Sequence, residues 1–330
     1  RRVIFHDYYA DVPDAEIDRF VQSQELARLV TVGPDGTPHL GLYPFVYDGK
    51  NVDARPHAPR GRSEEGRMKV TANGISVNYT LDGPAGAPVV TLSHSLATTL
   101  AMWDPQMTDL AARYRVLRYD TRAHGGSDAP AGAYTLDQLA EDARALLRAL
   151  GIARTHWVGL SMGGMIGQTL ALQAPELFAS LVLCDTSSRV PPEARPTWGE
   201  RIRVAQTQGM EPHVEPTLDR WFTPAFREKR PDVVERVRAM IRSTSPTGYV
   251  GCCHAIAALD LTDRLGAIKL PTLLIVGEDD PGTPVAASRV IRDRIPGSEL
   301  VVLESAAHLS NLEQPEAFTR ALTRFLAKLG

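Results

Sequence analysis

Cysteine is scarce in this chain. Its 330 residues hold three, Cys184, Cys252 and Cys253. The number is odd and the spacing fits no disulfide framework, which excludes a disulfide-stapled scaffold and points to a reducing cytoplasm. An excess of one charge is also lacking. Lys and Arg number 36 against 39 Asp and Glu, a net charge of −3, so no bulk field favours nucleic acid or an anionic membrane as partner. No apolar run approaches the ~20 residues that span a bilayer. The opening Arg1-Arg2-Val3-Ile4-Phe5-His6-Asp7 is not a long apolar stretch, so no signal peptide is read there. No Walker loop, Rossmann glycine fingerprint or Cys/His zinc spacing occurs, and the sequence therefore implies no cofactor and no metal. What remains is an ordinary globular composition, 43% hydrophobic.

What is present is Val158-Gly159-Leu160-Ser161-Met162-Gly163-Gly164. Gly-x-Ser-x-Gly is the pattern of a sharp strand-to-helix turn that exposes a serine hydroxyl. The context agrees. Residues 155–158 are β-branched and aromatic, as in a buried strand. Met165, Ile166, Thr169, Leu170 and Leu172 then recur at helical spacing until Pro175. The glycines are poor helix formers, so they signal close helix–sheet contact.

Residues 1–67 differ from the rest. Apolar runs over 26–32 and 39–47 flank Gly33-Pro34-Asp35-Gly36, a hairpin signal, and an Arg/Pro/Gly/Glu-rich linker follows from Asp53 to Arg67. From Met68 strands alternate with helices. A hairpin turns at Asn73-Gly74, and strands are read over 89–92, 115–119, 155–158, 181–184, 273–276 and 300–303. Thr135 and Gln138 form a capping box ahead of a helix that ends at Gly151. A last helix runs from about residue 315 to 329. This alternation predicts an α/β fold with a mainly parallel sheet covered on both faces. Between residues 187 and 265 it is broken by a proline-punctuated helical stretch, read as a lid over the strand ends. The expected domains are thus an extension and linker over 1–67, a core over 68–186 and 266–330, and a lid over 187–265.

An activated serine needs a base, an acid that orients the base, and donors for an oxyanion, in the chain order Ser, Asp, His. His308, after the last strand, is the expected base. Gly277-Glu278-Asp279-Asp280-Pro281 supplies the acid, with Asp280 preferred, Asp279 second, and Asp185 a rarer placement. The N–H of Met162 and that of Leu96, with Ser95 as runner-up, are the expected oxyanion donors. His94, Ser95, Trp103 and Trp221 are assigned to the substrate pocket. The run Asp120-Thr121-Arg122-Ala123-His124-Gly125-Gly126-Ser127 reads as a self-stabilising turn rather than a second catalytic cluster.

From Met68 onward the chain resembles α/β-hydrolases, and among them 3-oxoadipate enol-lactonases and carboxylesterases. The resemblance rests on Leu92-Ser93-His94-Ser95-Leu96, Arg118-Tyr119-Asp120-Thr121-Arg122-Ala123-His124-Gly125, the Ser161 turn, Arg220-Trp221-Phe222-Thr223, and Ala307-His308-Leu309-Ser310-Asn311-Leu312-Glu313. Ala123 departs from the usual Gly of that turn, and His94 stands where enol-lactonases often carry Asn. The resemblance implies an α/β-hydrolase fold and a cytoplasmic ester or lactone hydrolase of aromatic catabolism, acting on a small molecule. A broad carboxylesterase, a carbon–carbon bond hydrolase and a slow-turnover ligand receptor are the alternatives. Residues 26–38 also resemble the start of flavin-binding split-barrel proteins, but residues 1–67 are too few for a barrel. No flavin is expected there, and a fused remnant or a dimerisation arm, the latter giving a homo-oligomer, is the alternative.

Overall fold

The computed structural model describes residues 67–329 and, before them, the backbone of Ala27–Val32 (β1), Pro38–Tyr43 (β2), Val46–Tyr47 (β3) and Val52–Asp53 (β4). Residues 1–66 make one unit and 67–330 another. In the first, β1 pairs antiparallel with β2, Ala27 opposite Tyr43, and β3 with β4. The run read over 39–47 is therefore two strands. The turn at 33–36 and nearly all of the linker lie outside the described residues.

The second unit opens with Met68–Ala72 (β5) folded back on Ile75–Asp82 (β6). Asn73 and Gly74 make that turn at φ +46° and +76°, the left-handed conformations a tight hairpin requires. Val89–Ser93 (β7), Arg115–Tyr119 (β8), Thr155–Leu160 (β9), Phe178–Cys184 (β10), Thr272–Gly277 (β11) and Glu299–Leu303 (β12) complete an eight-stranded sheet. Its order is β12-β11-β10-β9-β7-β8-β6-β5. Strands β7 to β12 pair in parallel, and β6 joins antiparallel to β8. Every residue of β9 and β11 is buried, which explains why both read as continuous apolar runs instead of alternating ones.

Met107–Ala111 (α1), Leu136–Ala149 (α2) and Met162–Gln173 (α3) connect the strands. The Thr135 hydroxyl accepts from Gln138 N at 3.1 Å, and Leu139, Ala143, Leu146 and Leu147 bury the inner face of α2. Helix α3 packs on α2, β7, β9 and β10. Only glycine permits this approach: a Cβ on Gly163 would stand 2.1 Å from Ser93 O.

After β10 the chain leaves the sheet and builds Arg195–Gln208 (α4), Glu211–Trp221 (α5), Pro224–Lys229 (α6), Pro231–Ser243 (α7) and Pro246–Ala257 (α8). It returns as β11 beside β10, so this helical lid is an insertion between neighbouring parallel strands. The prolines read as breaks mostly sit in the first turn of a lid helix, where a missing N–H costs nothing. Val285–Arg294 (α9), Ser310–Glu313 (α10) and Pro315–Ala327 (α11) finish the unit. Ser161, Asp280, His308 and Leu96 all follow the C-terminal ends of strands, the edge where open α/β sheets hold ligands.

Candidate active site

Ser161 joins β9 to α3 with φ +54° and ψ −115°. A non-glycine residue persists there only when its surroundings over-determine it. They do: Ser161 N donates to Cys184 O at 2.9 Å, and Ser161 O accepts from Gly164 N, Met165 N and the Thr186 hydroxyl at 2.9, 3.1 and 2.8 Å. The side chain is thereby turned away from the strand line, and Ser161 lines the cavity beneath the lid.

The turn after β11 is held by Glu278 N to Leu303 O and Asp279 N to Ala306 O, both 2.9 Å. Glu278 and Asp279 are exposed, and Asp280 alone of the three points inward. Asp280 Oδ1 accepts from Gly282 N and Thr283 N at 2.8 and 3.0 Å, and Oδ2 accepts from the Thr283 hydroxyl at 2.6 Å. Oδ2 also meets His308 Nδ1 at 2.7 Å. Burial alone would raise the Asp280 pKa, but the His308 charge and the bonds from His308 and Thr283 outweigh it and bring it down to about 2. Asp185, the third candidate acid, binds elsewhere: Gly277 N donates to its Oδ1 at 2.8 Å and the Ser310 hydroxyl to its Oδ2. Burial first, and then Asp280, push its pKa well above the carboxylate range.

His308 lines the same cavity as Ser161, its ring stacked on Trp221 at 6.0 Å between centroids. With Nδ1 committed to Asp280, Nε2 is the ring nitrogen that no hydrogen bond among the described residues occupies. Leu96 also lines the cavity, and Met162 follows Ser161 directly. Among the described residues neither the Leu96 N–H nor the Met162 N–H meets an acceptor. The neighbouring N–H groups are occupied, Ser95 N by Met102 Sδ at 3.4 Å and Ala97 N by His124 Nε2 at 2.9 Å.

Two residues assigned to the pocket stand elsewhere. His94 is fully buried: Thr121 N donates to its Nε2 at 2.9 Å and its Nδ1 bonds Ser95 O at 2.7 Å. Its polar atoms are spent on tying two loops together. Trp103 is fully buried in the 3₁₀ turn Leu100–Gln106 and packs on Phe318 at 6.1 Å. The 3₁₀ turn directs the indole toward α11 rather than into the cavity. Ser95 and Trp221 do line the cavity. The turn from Asp120 to Ser127 is held partly by its own bonds and partly from outside: Asp120 accepts from Gly126 N and the Ser127 hydroxyl donates to Asp120 O, while Leu100 N and Asn78 Nδ2 also donate to the Asp120 carboxylate.

The cavity encloses about 290 Å³, room for a small molecule. Its lid wall carries groups that sequence reading missed, Arg201 on α4, Arg220 on α5 and Tyr249 on α8. Arg201 lies over the Trp198 ring at 4.5 Å, and Arg220 donates to the Thr217 hydroxyl at 3.1 Å. Neither guanidinium pairs with a carboxylate among the described residues. Burial, and then the like charge of Arg201, lower the Arg220 pKa. Among the described residues no group of three or more His, Cys, Asp or Glu is arranged to hold a metal, and no helix is long and apolar enough to cross a membrane.

A family model for the alpha/beta hydrolase fold matches residues 88–315. The chain is 40% identical over 253 residues to 3-oxoadipate enol-lactonase 2 of Acinetobacter baylyi, covering 77% of this chain and 94% of that protein. It is also 40% identical to the enol-lactonase of Burkholderia xenovorans LB400, whose crystal structure matches with a TM-score of 0.76 over 79% of this chain and 100% of that one. A thermophilic esterase from Thermogutta terrifontis, solved with malate bound, is 31% identical, with a TM-score of 0.75 over 80% of this chain and 98% of that one.

Proposed function

The chain belongs to the α/β-hydrolase family, and we propose that it is a serine hydrolase cleaving carboxylic esters and lactones through an acyl-enzyme, with enol lactones like that of 3-oxoadipate as its best substrates. The observation that carries this is the bond from Asp280 Oδ2 to His308 Nδ1 beside a cavity that Ser161 also lines.

In this reading Ser161 Oγ attacks the carbonyl carbon while His308 Nε2 takes its proton. Asp280, ionised, keeps the proton on Nδ1 and stabilises the imidazolium. The Leu96 and Met162 N–H groups hold the oxyanion of the tetrahedral intermediate. His308 then returns the proton to the leaving oxygen. In a lactone that oxygen stays on the acyl chain, so the ring opens without loss of a fragment. Water, deprotonated by His308, attacks the acyl-enzyme and regenerates Ser161.

Two relatives named as enol-lactonases favour the lactone over a broad carboxylesterase. The Arg201 and Arg220 guanidiniums in the cavity wall favour it further, since they would bind a free carboxylate at the far end of the substrate. Free, buried Cys184, Cys252 and Cys253 fit the cytoplasm. A role of residues 1–67 in forming a homo-oligomer is a separate proposal, tested by the mass in solution with and without them.

The test is a panel of neutral p-nitrophenyl esters, monoanionic p-nitrophenyl esters of dicarboxylic acids, simple lactones and enol lactones. Highest kcat/KM on a carboxylate-bearing enol lactone supports the reading. Highest kcat/KM on neutral esters supports the broad carboxylesterase, and no turnover of any ester or lactone contradicts both.

A further inference from the structure

Glu313 is a buried carboxylate with no part in the chemistry above. It ends α10, five residues after His308, and only 6% of it is exposed. Its Oε2 accepts from Ala307 N at 2.8 Å. Its Oε1 accepts from Thr223 N at 2.8 Å and from the Thr223 hydroxyl. Ala307 immediately precedes His308. Thr223 caps α6 and follows Trp221 and Phe222, the end of α5 in the lid. A second bond runs between the same two segments, from Leu309 N to Trp221 O at 3.1 Å. Both neighbours of His308 in the chain are therefore tied to one corner of the lid, and the ring of that corner, Trp221, stacks on the imidazole at an interplanar angle of 28°.

No cation pairs with Glu313 among the described residues. A buried carboxylate without an ion pair is costly unless its hydrogen bonds are needed. Here three donors converge on it from two separate segments, and only a group with two acceptor oxygens serves both. The segment after His308 is anchored from the core side as well, since Asn311 Nδ2 donates to Met102 O at 2.9 Å and Gln106 Nε2 to Asn311 O at 3.0 Å. Among the described residues, the hydrogen bonds between the lid corner and the segment carrying His308 are those through Glu313 and Trp221 O.

We propose that Glu313 is a positioning residue that clasps the Trp221–Thr223 corner of the lid to both flanks of His308, so that cavity wall and base are set as one body. The inference rests on the reading of His308 as the base. Glu313 touches neither substrate nor reacting atoms, and its effect reaches the chemistry through the imidazole. Disturbing it should slow both acylation and deacylation, because His308 serves both, and should alter turnover more than binding.

The experiment uses p-nitrophenyl acetate with the full chain. Burst titration counts competent sites, and steady-state rates are expressed per titrated site. Glu313→Gln keeps the shape but turns an NH₂ toward either Ala307 N or Thr223 N. Its kcat per site is expected to fall at least about tenfold, with KM within about threefold of the wild type, a loss equal to that of one or more charge-assisted hydrogen bonds. Thr223→Val is expected to lose several-fold in kcat and Thr223→Ser to recover it, since serine keeps the hydroxyl. A purely structural role would lower the titre of sites and leave kcat per site unchanged, and that outcome overturns the proposal. So does equal behaviour of Thr223→Val and Thr223→Ser, which decides the matter even where Glu313→Gln does not fold. Absence of any hydrolysis by the wild type would instead sink the ester-hydrolase reading itself.

Discussion

His124 Nε2 accepts the backbone N–H of Ala97 at 2.9 Å. That bond ties the Asp120–Ser127 turn to the loop carrying Leu96. Ala97 sits at φ +58°, a conformation alanine adopts only when held. His94 returns the favour across the same gap by accepting Thr121 N, and the two rings lie 5.1 Å apart. Each ring needs a lone pair on Nε2, so both work as neutral imidazoles. His124→Ala is expected to lower kcat at least about tenfold by loosening the Leu96 donor, a part of the ~10²–10³ lost when one oxyanion donor is removed outright. Steady-state kinetics on an activated ester check it.

The same ring makes a stability prediction. Burial, with His94 close by, pushes the His124 pKa from 6.5 down to about 3. Between those values the unfolded chain carries a proton that the folded chain refuses. Stability should therefore fall as pH drops from about 6.5 toward about 3. Thermal melts over that range should decline less steeply for His124→Asn than for the wild type.

Asp280 and Asp279 are neighbours with opposite expected behaviour. Asp280→Asn removes the charge that holds His308 in its tautomer, and kcat should fall by about 10³–10⁴. Asp279→Asn, on the exposed side of the turn, should stay within about twofold of the wild type, as surface changes mostly do. Asp280 is depressed from 3.8 to about 2, so the stability of its bond to His308 is present above 3.8 and lost as pH falls toward 2.

Arg201 and Arg220 should act on preference rather than on chemistry. Replacing either by Gln should lower the ratio of kcat/KM for a monoanionic ester to that for its neutral analogue by about 10- to 100-fold, the worth of one hydrogen bond to a charged group. An unchanged ratio in both variants would remove them from substrate recognition.

Two glycines should respond in opposite directions to alanine. Gly163→Ala drives a Cβ to 2.1 Å from Ser93 O, between helix and sheet, and should cost about 3 kcal/mol or more. Gly199, in α4, has nothing within 4 Å of the same atom, and Gly199→Ala should stabilise by up to about 1 kcal/mol. Urea unfolding midpoints measure both.

The sheet strands and the Ser161 turn were legible because their signals are local: periodicity, glycine spacing and Pro175 at a helix end. Strand order put His308 and the acid turn downstream of the serine. Asp280 is preferred over Asp279 from its place in the turn alone, but the convergence of Thr283 and His308 on that one carboxylate is encoded by no local pattern. Trp103 was misplaced for a similar reason, since a 3₁₀ turn decides which way an indole points. Arg201, Arg220 and Tyr249 come from three lid helices and meet only after folding. Glu313 closes the sequence motif that begins at Ala307, but its partner Thr223 lies 90 residues away. Contacts of that range are set by packing between elements, not by the propensities within them.

The central claim is that Ser161 carries the acyl group. Intact-mass analysis of the protein quenched during turnover of an activated ester, followed by peptide mapping, tests it most directly. The wild type should show one added acyl mass on the peptide containing Ser161, and Ser161→Ala should show none while losing nearly all hydrolysis. An acyl adduct elsewhere, or undiminished turnover by Ser161→Ala, would contradict the account.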